Sequence, residues 1–494
     1  MSELIISVSG LRGKIGKNLN ADVIIPYISA YIHFLNEHHL FGPLVVGYDG
    51  RESGKSILQT ILRTAEIHHR EILISGVTAT PTLGVLVKFH HAAGGIQITA
   101  SHNPHPWNGL KLFGPDGRIL SKNLGSEVKT LFENFIKNSD SPLSDAPSSC
   151  ISENPKNILS PSESFSEKMC REIPDTITPH MEVLLKTVNV QRIQKRKFRV
   201  LLHSNHGSGS VLGIPLLEKL GCDVLFTSEK ETPDGNFIHT PEPTEENLHS
   251  VCPLIPAMNT DVGFCQDPDA DRLAIIDASG RYIGEEYTVA LCAEHILSQF
   301  INSSHFTHSS KTDFCTDLPA VITNCSTSLM TRDVARKYGF PFHFSAVGEA
   351  NVVEKMLETG AIFAGEGNGG PIDPRVGYVR DSFVGMVQIL DMMAARNLSV
   401  AQLADALPRY EIVKTKFHAT AEQMSEIFEQ FIKKYPDAQI SRLDGLRLSW
   451  EDSWILVRGS NTEPIIRIIA EAKTREDALK KSALPHFPHE NFSS

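Results

Sequence analysis

Nowhere in these 494 residues do about 18 consecutive apolar residues occur, so no segment reads as a membrane-crossing helix. The opening MSELIISVSGLRGKIG lacks the charged stretch and apolar run of a secretory leader, which leads to the expectation of a cytoplasmic protein. Basic charge is also scarce. Against 58 Asp+Glu stand 47 Lys+Arg, a net charge of −11 at pH 7, which argues against nucleic acid or an anionic membrane as the main partner. Cysteine is thin and scattered: Cys150, Cys170, Cys222, Cys252, Cys265, Cys292, Cys315 and Cys325 form no C-x-x-C, which fits reduced buried thiols better than a disulfide framework or zinc site. A P-loop is missing as well, because GRESGKS (50–56) has Asp49 where the phosphate-binding pattern needs glycine. The pairs His38-His39, His68-His69 and His90-His91 have no metal-ligand spacing, and helix surfaces and ends are their expected places.

What is present is a globular composition, 41% hydrophobic, long enough for about three domains. Residues 1–136 alternate strand-like and helix-like runs: LVVGYD (44–49), a helical stretch over 53–69, then EILIS (71–75). Between 139 and 166 there are ten Ser and four Pro with no apolar periodicity, which reads as a linker or insertion. A second α/β unit follows, with KRKFRVLLHS (195–204), a helix over 209–220 and CDVLFT (222–227). A third begins near Gly284, crosses the polar stretch 302–313, and includes AVIT (320–323) with a helix from Thr327. The last hundred residues read as a smaller α+β unit: Met424, Ile427, Phe428, Phe431 and Ile432 mark one helix face, Asp444-Gly445 separates two strand-like runs, and Thr474 and Asp477 have capping-box spacing.

Four segments carry chemistry. In TASHNPHPWNGLKLF (99–113) a strand delivers Ser101 and His102 to a loop, where a serine is placed to be a nucleophile; alone, S-H-N-P is more often a turn. Lys111, closing N-G-x-K, becomes a proton donor or acceptor if neighbours or burial lower its pKa. In DPDADR (267–272) Asp267, Asp269 and Asp271 alternate, and period-two spacing points their carboxylates one way. Such crowded charge asks for a hard divalent cation, magnesium being the natural candidate. An EF-hand is excluded, since Arg272 stands at position 6 and Ala278 at position 12. RGSNTEPIIRI (458–468) reads as an anion cradle of backbone N–H groups, Ser460, Asn461 and Thr462 between Arg458 and Arg467, with a plain β-turn equally compatible. FAGEGNGGPIDP (363–374) sets Glu366 and Asn368 in a glycine-dense loop suited to sugar hydroxyls, although by itself it is more often a plain flexible loop, and SVSGLRGKIG (7–16) adds Arg12 between glycines as a phosphate contact that is weak alone.

In order, G-L-R-G, T-A-S-H-N-P…N-G-x-K, D-P-D-A-D-R, G-E-G-N-G-G and R-G-S-N-T-E-P resemble the α-D-phosphohexomutase superfamily across residues 10–467. The resemblance implies four domains around a cleft, three related α/β domains with mixed sheets and a smaller C-terminal α+β domain, set here at 1–138, 167–283, 284–400 and 401–494 with 139–166 between. It implies a phosphoserine at Ser101 that exchanges its phosphoryl group with a hexose phosphate through a bisphosphate that acts as intermediate or activator. One Mg²⁺ on Ser101, Asp267, Asp269 and Asp271 is implied per site. Arg12, His102, Lys111 and Arg272 match the active-site cations and proton-transfer groups, Glu366 the sugar-hydroxyl ligand, and Arg458, Ser460, Asn461, Thr462 and Arg467 the grip on the other phosphate. Here Asn368 and Gly370 replace the Ser and His of many bacterial members, and with Arg380-Asp381 following, the loop resembles that of archaeal-type phosphoglucosamine mutases. Glucosamine phosphate is thus the first substrate expected, with phosphomannomutase or phosphoglucomutase as the alternative. A non-catalytic sugar-phosphate sensor and a phosphatase are the readings from other classes. Expected partners are small sugar phosphates, not nucleic acid or membrane, in a monomer or homodimer.

Overall fold

The structure, a computed structural model, describes residues 4–7, 10–138, 169–227, 232–303, 318–418, 421–459 and 465–483. The Ser/Pro-rich stretch 139–166 and most of the polar stretch 302–313 lie outside them. The first unit runs β1 (Ile5–Ser7), β2 (Gly10–Lys14), α1 (Ala21–Glu37), β3 (Leu44–Tyr48), α2 (Ser53–Ile67), β4 (Ile72–Val77), α3 (Thr80–Phe89), β5 (Gly94–Ile98), β6 (Trp107–Phe113) and α4 (Lys122–Asn138). Its sheet has the order β1-β2-β6-β5-β3-β4-β7, where β7 (Cys170–Glu172) is a parallel edge strand from inside the range expected for the second unit. The second unit has α5 (Thr178–Leu185), α6 (Val190–Arg196), β8 (Arg199–His203), α7 (Gly209–Lys219), β9 (Asp223–Phe226), α8 (Leu254–Ala257), β10 (Val262–Gln266) and β11 (Leu273–Asp277). The third has α9 (Glu285–Asn302), β12 (Val321–Asn324), α10 (Leu329–Tyr338), β13 (Phe342–Ser345), α11 (Glu349–Thr359), β14 (Phe363–Glu366), β15 (Gly370–Ile372), α12 (Ser382–Arg396) and α13 (Val400–Asp405).

One topology underlies all three. Four strands stand in the orders β4-β3-β5-β6, β9-β8-β10-β11 and β13-β12-β14-β15, three parallel and the fourth antiparallel to the third. No period in residue identity shows this repeat; hydrogen-bond pairing does. The turn closing each last hairpin therefore occupies an equivalent place, and these turns carry Ser101, the 267–271 aspartates and the Glu366 loop. α1, α2 and α3 each end in a His pair whose second member, His39, His69 or His91, takes a left-handed φ of 58°, 51° or 50°, the helix-terminating conformation. The parallel strands are buried along both faces, so they read as continuous apolar runs rather than alternations.

The fourth unit is an antiparallel sheet of β16 (Glu411–His418), β20 (Ile465–Ala472), β19 (Trp454–Gly459), β18 (Leu446–Ser449) and β17 (Gln439–Ser441), with α14 (Ala421–Lys434) and α15 (Arg475–Ser482). α14 sets Ile427 and Phe431 against Leu446, Leu448, Ile455 and Val457. Thr474 caps α15, its hydroxyl accepting from Asp477 N. Among the described residues no helix is long and apolar enough to cross a membrane.

Where the fourth unit meets the third, Glu471 accepts hydrogen bonds from Leu329 N (3.0 Å) and Trp454 Nε1 (2.6 Å), and Arg447 Nε donates to Cys325 O (3.0 Å). Glu471 is buried, its Oε1 has no hydrogen-bond partner, and burial pushes its pKa up from 4.5 to about 7. A carboxyl raised in the folded state stabilises fully below the unfolded value and loses that contribution as pH rises through the folded one. The melting temperature is therefore expected to fall between about pH 5 and pH 8, with a flatter slope in Glu471→Gln. Differential scanning calorimetry at several pH values measures this, and parallel slopes in the two proteins would refute it.

Candidate active site

β5 ends at Ile98, and the loop that follows holds Ser101 at φ 50°, a left-handed conformation that L residues avoid without support. Ser101 N donates to Thr99 Oγ1 (2.8 Å), and Ser101 Oγ donates to Asp267 Oδ2 (2.8 Å) with His102 Nδ1 at 3.3 Å. The chain returns along β6 through Gly109, where a Cβ would stand 2.3 Å from Leu11 O, so only glycine lets the strands close. That closure buries Lys111 two residues on, its Nζ donating to Asp269 Oδ2 (2.6 Å) and Asp271 Oδ2 (2.8 Å).

The three aspartates converge by a turn, not by the strand pleat expected from their spacing. β10 stops at Gln266, Ala270 N bonds Asp267 O (2.9 Å), and Ala270 takes φ 55°. Thr80, at the start of α3, donates from both N and Oγ1 to Asp269 and ties the turn to the first unit. One oxygen from each carboxylate lies within 4.8 Å of the others; all three residues are buried, and Asp269 Oδ1 and Asp271 Oδ1 have no hydrogen-bond partner. Three converging buried carboxylates, two of them with an unpartnered oxygen, are the donor set of a hard divalent cation, and the residues fit Mg²⁺.

Cations counter this charge. Burial and the neighbouring Asp271 and Asp269 push Asp267 well above the usual carboxylate range. Burial acts the same way on Asp271, but Arg380, Lys111 and Arg272 outweigh it and hold it low. Burial draws Lys111 down while Asp269 and Asp271 raise it further, so its pKa lies above the ordinary value. The condition under which Lys111 would exchange a proton, a lowered pKa, is thus not met, and Lys111 is held as a cation. His102 moves the other way: burial, Arg272 and Arg12 keep it well below 6.5, a neutral imidazole. Arg12 Nη1 donates to Asn103 Oδ1 (3.2 Å), and Arg272 Nη1 to Glu242 Oε1 (2.8 Å).

The third turn joins through Arg380, whose guanidinium reaches Asp271 (2.6 Å), Glu349 (3.2 Å) and Glu366 (3.0 Å). Glu366 also accepts from Asn324 Nδ2 (2.7 Å) and Gly348 N (3.0 Å), so protein donors surround the group expected to face sugar, whereas Asn368 Oδ1 is buried without a partner. Gly367 is bare because a Cβ there would meet the Glu286 carboxylate at 2.1 Å. Arg458 and Arg467 stand opposite each other on β19 and β20, Arg458 Nε lies 3.5 Å from Asp444, and Asp444 accepts from Val347 N beside the Glu366 turn. Ser460, Asn461 and Thr462 lie outside the described residues. Like charges paired across strands repel unless an anion lies between or beside them.

The sequence models of α/β/α domains I, II and III of phosphoglucomutase/phosphomannomutase match residues 4–138, 178–280 and 285–410, and that of the C-terminal domain matches 412–483. A phosphoglucomutase/phosphomannomutase of Thermococcus kodakarensis is 31% identical over 95% of this chain and 94% of its own length. The chain belongs to the phosphoglucomutase/phosphomannomutase family. This phosphohexomutase is also 28% identical, over 95% of each chain, to a phosphoglucosamine/phosphogalactosamine mutase of Sulfurisphaera tokodaii. Its fold matches a family protein from Burkholderia thailandensis with TM-score 0.78 at 21% identity, covering 98% and 99% of the two chains.

Sequence reasoning missed Arg51, Thr80, Glu242 and Glu349 in this enzyme and did not assign Arg380 a contact. Glu349 and Thr80 carry no local signal, being single polar residues at helix starts. Arg51 sits inside the rejected P-loop lookalike.

Proposed function

We propose that the enzyme interconverts glucosamine 6-phosphate and glucosamine 1-phosphate through phosphorylated Ser101 and a glucosamine 1,6-bisphosphate. The observation that carries this reading is Ser101 Oγ donating to Asp267 within the aspartate triad, beside a neutral His102 and a charged Lys111. Phosphoryl transfer asks for charge neutralisation and positioning above all. Asp267, Asp269 and Asp271 would hold Mg²⁺, which supplies charge neutralisation at the transferring phosphoryl oxygens. In the forward half-reaction the sugar 1-hydroxyl oxygen bonds to the Ser101 phosphorus as the Ser101 Oγ–P bond breaks, and the hydroxyl proton ends on Ser101 Oγ. The bisphosphate then turns over and returns its 6-phosphoryl group to Ser101. When the 6-phosphoryl group moves onto Ser101 Oγ and the sugar O6–P bond breaks, His102 Nδ1, neutral and near Oγ, takes the serine proton, and the departing sugar 6-oxygen ends as a hydroxyl. Arg12 and Arg272 bind phosphoryl oxygens, and Arg458 and Arg467 grip the phosphate that is not reacting.

The amino sugar comes first because several relatives are named phosphoglucosamine mutases, and Asn368 Oδ1, an acceptor without a donor beside the Glu366 turn, is of the kind that an ammonium group would satisfy. The Thermococcus relative favours glucose or mannose phosphate as a second reading. ³¹P NMR with Mg²⁺, a hexose bisphosphate and glucosamine, glucose or mannose 6-phosphate in separate tubes decides. The expected result is a 1-phosphate resonance fastest from glucosamine, with kcat/KM about tenfold above the others. Faster turnover of glucose or mannose phosphate moves the assignment to the second reading.

A further inference from the structure

Arg51, two residues past the position where a P-loop needs glycine, is almost completely buried. Its Nη2 donates to Ser101 O (2.6 Å) and Asn103 O (2.7 Å), its Nη1 to Trp107 O (3.2 Å), and its Nε to Asp49 Oδ2 (2.9 Å). The guanidinium thus ties down the serine loop at three carbonyls, at its start, middle and end. Asp49 Oδ2 also accepts from Thr99 Oγ1 (2.6 Å), which in turn accepts from Ser101 N. Both peptide groups flanking the Ser101 Cα are therefore fixed by one chain of contacts that begins at Arg51. The second unit closes this arrangement: the Phe237 ring lies 4.7 Å from the guanidinium carbon, and Gly235 packs on the Arg51 backbone, where a Cβ would come within 2.7 Å. Gly235 O lies 2.8 Å from His105 Nε2 on the same loop.

We propose that Arg51 is a positioning residue for phosphoryl transfer, holding the Ser101 loop in its left-handed conformation under cover of Phe237 from the second unit. A buried arginine with three directed N–H contacts on one loop and a fourth to Asp49 is a geometric template that lysine, with one compact ammonium, cannot reproduce. The inference rests on Ser101 as the phosphoryl carrier.

Single-turnover phosphorylation of the full enzyme by glucose 1,6-bisphosphate, followed by intact mass and peptide mapping, tests it alongside calorimetric binding of the same compound. Arg51→Ala is expected to acquire phosphate on Ser101 about 100-fold more slowly than wild type, with bisphosphate affinity within about threefold. Added guanidinium is expected to restore the rate, and Arg51→Lys is expected to remain slow. Wild-type rate in Arg51→Ala, or a rate loss matched by lost affinity and unmoved by guanidinium, overturns the proposal. If Arg51→Ala does not fold, Thr99→Val decides: it breaks the contact to Ser101 N, and about tenfold slower labelling at unchanged affinity is expected, while a wild-type rate overturns the proposal. Phosphate mapped to another residue in the wild-type enzyme would instead remove the Ser101 reading itself, an outcome distinct from the Arg51 results.

Discussion

Ser101→Ala is expected to lower mutase turnover by about 10⁴-fold or more while leaving the fold and the binding of sugar phosphate in place. The size follows from the chemistry. If the phosphoryl group travels on Ser101 Oγ, no other hydroxyl can replace it, because Thr99 Oγ1 and Thr80 Oγ1 are both committed to buried carboxylates. The retained fold follows from the contacts: Ala removes a single donor, the one to Asp267 Oδ2, and deleting one hydroxyl oxygen opens a space of only a single atom. Asp267, already raised by burial and its neighbours, loses a hydrogen bond that favours its ionised form and takes up a proton more readily. Coupled assay of turnover, intact mass for phosphate and calorimetric binding of substrate together check this. Near-wild-type turnover would sink both the phosphoserine and everything built on it; lost turnover with lost binding would move Ser101 from carrier to ligand.

The strand-helix alternation of the first three units was legible because parallel strands buried on both faces must be apolar throughout, as in LVVGY and VGFCQ, and because helix ends announce themselves, as the His pairs do. The sheet orders were not, since pairing depends on contacts between residues far apart in sequence; β7 joins β4 across about a hundred residues. Within the site, the aspartate triad was visible from spacing, but for a reason the structure corrects: a turn and a left-handed Ala270 gather the carboxylates, where a strand would have faced them along one side. Lys111 was visible as a cation, but the condition for its titrating, a lowered pKa, is not met, because Asp269 and Asp271 reach it from another unit. Arg51 and Arg380 escaped for the same reason. A buried arginine is recognised by the carbonyls and carboxylates that surround it, and those come from loops that only the fold assembles.

Lys111→Met is expected to cut kcat about 10²- to 10³-fold while tightening divalent-metal binding, a split that separates catalysis from cation retention. Lys111 Nζ occupies Asp269 Oδ2 and Asp271 Oδ2, the other oxygens of the carboxylates whose Oδ1 atoms are unpartnered. Removing that positive charge leaves the triad more negative, so Mn²⁺ used as a probe should bind roughly tenfold more tightly, or about 1.4 kcal/mol. Without metal the same variant should be less stable by about 3 kcal/mol, because two buried carboxylates lose the ammonium they share. Adding Mn²⁺ should then raise its melting temperature more than it raises that of wild type. Lys111→Arg is not expected to rescue turnover, since a planar fork cannot place one donor between two oxygens 2.6 and 2.8 Å away in a site packed by Gly109. Electron paramagnetic resonance titration of Mn²⁺, melting with and without metal, and steady-state kinetics measure the three quantities independently. Weakened metal binding in Lys111→Met would show that the lysine organises the triad instead of competing for it, and would return Lys111 to the role of a structural counter-ion.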